Sequence, residues 1–299
     1  MKTFLLLLLA TNALALDHEA IMKKITAPTK KNEVMTVSPH AKETQDFKKM
    51  FGPDLLKRIE NEKKLQASPK PHSSIFDQIS DAYARKAYAF APKPVPPKPD
   101  LGADLRHKDT PVKNQIGPRC TAYGLIAAME NLHGQKVDLS EAELWFRYQQ
   151  YSIYPAMQKA KELKITKEEF WPEAKSSPLP NADLNRIVKL SKESYLGLDF
   201  DRIKQKLREG KPIYFAFRVP KDLNTCSEVI RQDSPMTDGG HAVMISGYKI
   251  APELKDGFYL IIKNSWGTNC HDKGYVYLTP SFCNRPDGYC TFYSIDEVI

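Results

Sequence analysis

Ile261-Ile262-Lys263-Asn264-Ser265-Trp266-Gly267 is an apolar run that reads as a buried strand and ends on an amide and an indole. Two other segments look built to meet it: Arg119-Cys120-Thr121-Ala122-Tyr123 and Gly239-Gly240-His241-Ala242-Val243. A thiol, an imidazole and an amide are the parts of a cysteine-nucleophile site. The amide orients the imidazole, and the imidazole takes the thiol's proton. Cys120 at the first turn of a helix, with an imidazolium nearby, is expected to have a lowered pKa. Gly239-Gly240 lets another backbone come close to the strand that carries His241.

The five cysteines, at 120, 226, 270, 283 and 290, are an odd count. Four of them lie in the last 74 residues, whereas Cys120 stands 106 residues upstream of the next, so Cys120 is expected to be the unpaired thiol. Cys226, Cys270, Cys283 and Cys290 are disulfide candidates that allow three pairings. Cys270-His271 has no further ligand pair at suitable spacing, so no metal is expected.

At the start of the chain, Met1-Lys2-Thr3 precedes an apolar core from Phe4 to Ala10, and Ala13-Leu14-Ala15 has the form of a cleavage site. Residues 1–15 therefore read as a secretory signal peptide, and the expected location is secreted or periplasmic. The run is too short to span a membrane, so no membrane anchor is expected.

The net charge of +8 is uneven: residues 16–98 hold a surplus of six, Lys2 adds one, and residues 99–299 are left with +1. A nucleic-acid partner is thereby disfavoured for the C-terminal region. Within the basic segment, Lys42 to Leu65 carries Phe47, Phe51, Leu55, Leu56 and Ile59 at helical spacing, and Ser74 to Tyr88 is a second candidate helix. Neither forms a core alone, so docking on the rest of the chain or partial disorder is expected. Ala91 to Pro99 reads as an extended Pro-rich spacer open to proteolysis.

Beyond the spacer, helices are expected over Cys120–Leu132 with Gly134 as C-cap, from Ser140 through Trp145 and Phe146, and over Pro155–Leu163. Strands are expected over Ile213–Val219, Ala242–Ile250, Phe258–Lys263 and Tyr275–Leu278. A helical half followed by a strand half implies an α+β fold.

These motifs, with Pro111-Val112-Lys113-Asn114-Gln115, Leu139–Leu144 and Ile165–Pro172, stand in the order found in papain-like cysteine peptidases, and residues 100–299 resemble that family. His241 and Asn264 lie 121 and 144 residues after Cys120. The resemblance implies two lobes, helical over about 104–185 and antiparallel β-barrel-like over about 186–299, with the active site in the cleft between them. It implies Cys120 as nucleophile, His241 as proton partner, Asn264 as its orienter under Trp266, and Gln115 as oxyanion donor.

Only Ile116 to Arg119 separate Gln115 from Cys120, one residue fewer than the family's usual spacing, which leaves Asn114 as an alternative donor. Tyr154, Pro155, Gly239, Gly240, Trp266 and Ile295 are implied at the substrate cleft, with Ile295 pointing to an apolar P2 side chain. Ser152-Ile153 stands where the family has a substrate-binding Gly pair. The resemblance pairs Cys226 with Cys290, leaving Cys270 with Cys283.

The implied protein is an exported endopeptidase made as a zymogen. It would be a monomer without cofactor, acting on protein or peptide substrates, with residues 16–99 as a pro-region occupying the cleft. The family's usual inhibitory-helix signature is absent from that region. A transglutaminase-like or peptide-ligating acyl transferase, or an inactive binding module on the same fold, are the alternatives.

Overall fold

A computed structural model describes residues 18–27, 37–67, 100–134, 137–148 and 152–299. The signal-peptide segment, the candidate helix over 74–88 and the Pro-rich spacer lie outside the described residues.

The helices are α1 (18–26), α2 (Phe47–Ala67), α3 (Cys120–His133), α4 (Glu141–Tyr148), α5 (Ile153–Glu162), α6 (Phe200–Arg208) and α7 (Lys221–Asn224). The N-terminal strands are β1 (Gln45–Asp46) and β2 (Ala103–Asp104), and β3 (Ile165–Thr166) pairs with β4 (Arg186–Val188) in a small separate sheet. The main sheet runs β5 (Leu190–Tyr195), β11 (Cys290–Val298), β6 (Ile213–Pro220), β8 (Met236–Ile250), β9 (Phe258–Lys263), β10 (Tyr275–Leu278) and β7 (Val229–Ile230). It is antiparallel except for the β7–β10 pair. Helices dominate before residue 163 and strands after 186, as the α+β pattern predicts.

The central strand β8 is buried without interruption from His241 to Tyr248, so it is covered on both faces. The two-residue period of a strand divides those side chains. Ala242 and Met244 join one apolar cluster with Leu125, Ile126 and Met129 of α3. Val243 and Ile245 join the other, with Phe215, Phe217, Phe292 and the α6 residues Ile203 and Leu207. Phe215 stacks between Phe217 and Phe292 at centroid distances of 4.7 and 4.6 Å. Each such buried side chain contributes about 1.5–3 kcal/mol.

Helix α3 is apolar around most of its circumference and sits inside the molecule. Gly124 brings it against β8: a Cβ there would lie 2.8 Å from the backbone nitrogen of Val243. Gly134 ends the helix at φ +73°, its N–H bonding to the Glu130 carbonyl at 3.0 Å. These two contacts fix where residue 120 falls relative to residue 242. Ser140 caps α4, its hydroxyl accepting the Glu143 N–H at 3.0 Å. The Glu143 carboxylate does not return to complete a capping box; it accepts from the Thr166 N–H and from Arg186.

The basic leader docks on this body. Ile21 and Met22 of α1 pack with Tyr259, Ile261 and Tyr277. Strand β1 then pairs antiparallel with β8, Gln45 opposite Gly240 and Asp46 opposite Gly239. Helix α2 starts at Phe47, later than the expected Lys42, because Pro39–Glu43 form a 3-10 turn and Thr44 to Asp46 are extended into that pairing. It is broken at Gly52, whose φ of +70° glycine tolerates, and resumes at Pro53, which needs no N–H partner in a first turn. Phe47, Met50, Phe51 and Ile59 are buried in the same cluster as Cys120.

The disulfides differ from the pairing that the resemblance implied. Cys226 bonds Cys270 and Cys283 bonds Cys290, with Cα separations of 4.9 and 5.5 Å. The local chain explains the change. Cys290 opens β11 opposite Phe217, and the turn over Pro280–Phe282 delivers Cys283 beside it. Cys226, at φ +54° after α7, meets the loop that follows Trp266.

Candidate active site

Cys120 is the first residue of α3, is unpaired, and is completely buried. Its sulfur takes hydrogen bonds from the backbone N–H groups of Ala242, Thr121 and Cys120 itself. The thiol therefore lies at the helix N-terminus and against the residue that follows His241. Two of the three anticipated segments meet here.

The third meets them through a short hydrogen bond, His241 Nε2 to Asn264 Oδ1 at 2.7 Å. A carboxamide oxygen only accepts, so Nε2 carries the proton and Nδ1 the lone pair. Nδ1 is buried with no hydrogen-bond partner among the described residues. Trp266, itself 2% exposed, lies 4.9 Å from the His241 ring and Phe217 stands edge-on at 6.1 Å. The indole thus shields the His241–Asn264 contact from water.

Gln115 is buried, and both ends of its amide are tied: Oε1 accepts from the Ser265 hydroxyl at 2.6 Å and Nε2 donates to the Gly117 carbonyl at 2.8 Å. Its second Nε2 hydrogen is available to another acceptor. Gly117, at φ +66°, makes the tight turn of the short loop. Asn114 is exposed and its side chain lies against Gly267 instead.

Gly239 and Gly240 carry the leader strand β1, and a Cβ on Gly240 would sit 2.9 Å from the Cα of Phe47. The Ser152 hydroxyl donates to the Met50 carbonyl at 2.9 Å. Tyr154 is half exposed at the start of α5 with Pro155 next to it, while Ile295 is completely buried in the cluster that contains Met50 and Cys120. A cleft of about 500 Å³ remains between leader residues Ser38 to His40 and Asn114, Trp266 and Cys270.

The expected lowering of the thiol pKa is reversed in this form. Burial pushes Cys120 up to about 12 despite its backbone hydrogen bonds. Burial likewise lowers His241 to about 4, with the Asn264 bond opposing and His271 and His40 adding to the shift. The helix terminus is present, but the apolar cluster shared with the leader outweighs it. In this form the thiol and the imidazole are both neutral.

A pH effect on stability follows. His271 is also held down at about 4, mainly by burial. Unfolded histidines protonate near pH 6.5, so between about 6.5 and 4 the unfolded chain binds more protons than the folded one. Stability is then lost as pH falls through that window, by on the order of 3 kcal/mol per ring. Thermal melts of wild type and His241→Gln should show the wild-type advantage shrinking from neutral to acid pH. A constant difference would contradict a buried neutral His241.

Two residues, one bonded to Asn264 and one to the leader carbonyl of Met50, give no sign of these contacts in the sequence. Ser152 was recognised only as a departure from a Gly pair, and His271 only as a metal ligand without companions. His271 reaches Asn264 because a disulfide folds its loop inward, which no local pattern reveals.

The papain family cysteine protease profile matches residues 148–290, a span that holds His241 and Asn264 but not Cys120. Over 95 residues the chain is 36% identical to a cathepsin B-like protein, CP3, of Giardia intestinalis, covering 31% of each. It is 29% identical to falcipain-2b of Plasmodium falciparum over 187 residues, 56% of this chain and 39% of that one. The chain thus spans about a third of the length of these curated relatives. The structure resembles xylellain, a cysteine protease from Xylella fastidiosa, with a TM-score of 0.53 at 21% identity over 66% of this chain and 85% of the other. By sequence the chain is similar to papain family cysteine proteases, and it shares their fold.

Proposed function

We propose that this chain is an exported cysteine endopeptidase made as a zymogen, hydrolysing peptide bonds through a thioester acyl-enzyme. The observation that carries the reading is the buried 2.7 Å bond from His241 to Asn264, formed beside the N–H that faces the free thiol of Cys120. Once the leader has left, water enters and the Cys120 proton passes to Nδ1 of His241. The thiolate then attacks the peptide carbonyl carbon. The Cys120 N–H and the second Nε2 hydrogen of Gln115 hold the oxyanion. As the C–N bond breaks, His241 returns the proton to the departing amine, and water cleaves the thioester.

Residues 16–99 act as the pro-region, and residues 100–299 as the peptidase with helical and β-rich lobes. The Gly239–Gly240 pairing with β1 and the Ser152 bond to Met50 support occupation of the cleft by the leader backbone. Export is supported by the form of residues 1–15, by the two disulfides, and by the finding that no described helix is long and apolar enough to cross a membrane. The substrates are peptides, held by Gly239, Gly240 and Trp266, with Tyr154 and Pro155 at the cleft edge. Ile295, within the apolar cluster, favours an apolar P2 side chain.

Asn264 in the third position favours hydrolysis over transglutaminase-like transfer. Product analysis with the leader displaced, with and without an added primary amine, tests this. The reading predicts a free carboxylic acid at the cleaved bond in both reactions. A dominant amine adduct would make the protein an acyl transferase, and no turnover with Cys120 free would make it an inactive module.

A further inference from the structure

Asn264 is flanked by two imidazoles. Its Oδ1 accepts from His241 Nε2 at 2.7 Å and from the Ser265 N–H at 2.8 Å, while its Nδ2 meets His271 Nε2 at 2.9 Å. An amide has one accepting end and one donating end, so the network decides which way round it sits.

The decision starts at Ser227. Its carbonyl lies 2.7 Å from His271 Nδ1 and can only accept, so Nδ1 carries the proton. Nε2 of the neutral ring is then a lone pair, which accepts from Asn264 Nδ2. That leaves Oδ1 facing His241 and requires His241 to be the Nε2–H tautomer, with its lone pair on Nδ1. Turning the amide over would set Nδ2 against the Ser265 N–H and Oδ1 against the His271 lone pair.

The loop is built to make this contact. The Cys226–Cys270 disulfide joins the residues directly before Ser227 and His271, which are otherwise 44 positions apart. His271 has a left-handed backbone, φ +61°, and stacks on Trp266 at 5.9 Å. Burial keeps the ring neutral, with the Ser227 bond opposing and His40 adding; the titratable neighbours that act on this cluster are His40 and His241.

We propose that His271 is a positioning residue of this active site: anchored by the Ser227 carbonyl, it fixes the Asn264 amide and, through it, the tautomer of His241. The role rests on the peptidase reading above. A tautomer-setting partner of this kind is worth roughly 10- to 100-fold in activity.

The test compares wild type, His271→Phe and His271→Gln, each expressed as the full chain, processed identically and titrated for active sites. Phe keeps the ring stack without an acceptor, whereas Gln restores an acceptor at the end of the side chain. His271→Phe should lower kcat about tenfold or more with KM within about twofold, and His271→Gln should recover most of that loss. A Phe variant with wild-type kcat, or a Gln variant as impaired as Phe at equal Tm and with the Cys226–Cys270 bond intact, overturns the role.

If the Phe variant fails to fold, a long-range proton–nitrogen correlation spectrum of the labelled wild-type chain decides instead. A neutral Nδ1–H His271 at about pH 7 supports the proposal, and an Nε2–H or cationic ring overturns it. This spectrum is independent of turnover. A wild type with the expected tautomer that cleaves no peptide overturns the peptidase reading, and with it the catalytic consequence of His271.

Discussion

Alanine at position 120 is expected to lower kcat for peptide hydrolysis by roughly four to six orders of magnitude, with KM changed by no more than about threefold. In the proposed function, substrate is held by the backbone at Gly239-Gly240, where β1 pairs in this structure, and that contact does not need the sulfur. Under the proposed mechanism bond cleavage needs it entirely, and the remaining four cysteines are in disulfides. His241→Ala should produce a loss of the same order, since a thiol without its proton acceptor is not ionised at the moment of attack. The double variant should be no worse than either single one, as groups acting as a unit are not additive. Initial rates on a fluorogenic peptide check all three. A Cys120→Ala enzyme retaining more than about a tenth of wild-type kcat would place the chemistry elsewhere.

The second large effect concerns the leader. Cys120 in the full chain should react with iodoacetamide at about pH 7 at least about a thousandfold more slowly than after the leader is displaced. A thiol pushed up to about 12 is ionised in only about one molecule in 10⁵ at neutral pH. The same burial also closes off approach by the reagent. Met50→Asp places a charge where the wild-type side chain is completely buried, and it should loosen the leader without touching the catalytic groups. That variant should raise the labelling rate of the full chain towards the displaced value. Equal rates in the full and displaced chains would show that the leader does not mask the thiol.

These expectations were legible in the sequence to different depths, for physical reasons. Strands β9 and β10 carry unbroken or alternating apolar runs, and these runs coincide with the strand ends. Helix α3 announced itself through its apolar content and Gly134. Strand β5, Leu-Ser-Lys-Glu-Ser-Tyr, is an edge strand with apolar residues only at its ends, so its pattern gives no signal. Helix α6 carried a readable one, the Asp199 cap on the Arg202 N–H with Ile203 and Leu207 one turn apart, but in a strongly charged stretch.

The candidate triad could be read because three short motifs stand in order. The disulfides could not, since pairing depends on how the loops after α7 and Trp266 meet in space. The sign of the Cys120 shift was missed for the same kind of reason. A helix terminus is local and visible in sequence, whereas burial beneath a segment some 70 residues upstream is not.

The central claim is that Cys120 carries the acyl group during turnover. Acid-quenched mass spectrometry of the processed enzyme with a slowly deacylated substrate reads this directly, after proteolysis into peptides. The account predicts the acyl mass on the peptide containing Cys120, absent in His241→Ala and lost on neutral incubation as the thioester hydrolyses. An adduct on any other residue, or Cys120 recovered in a disulfide, would contradict it.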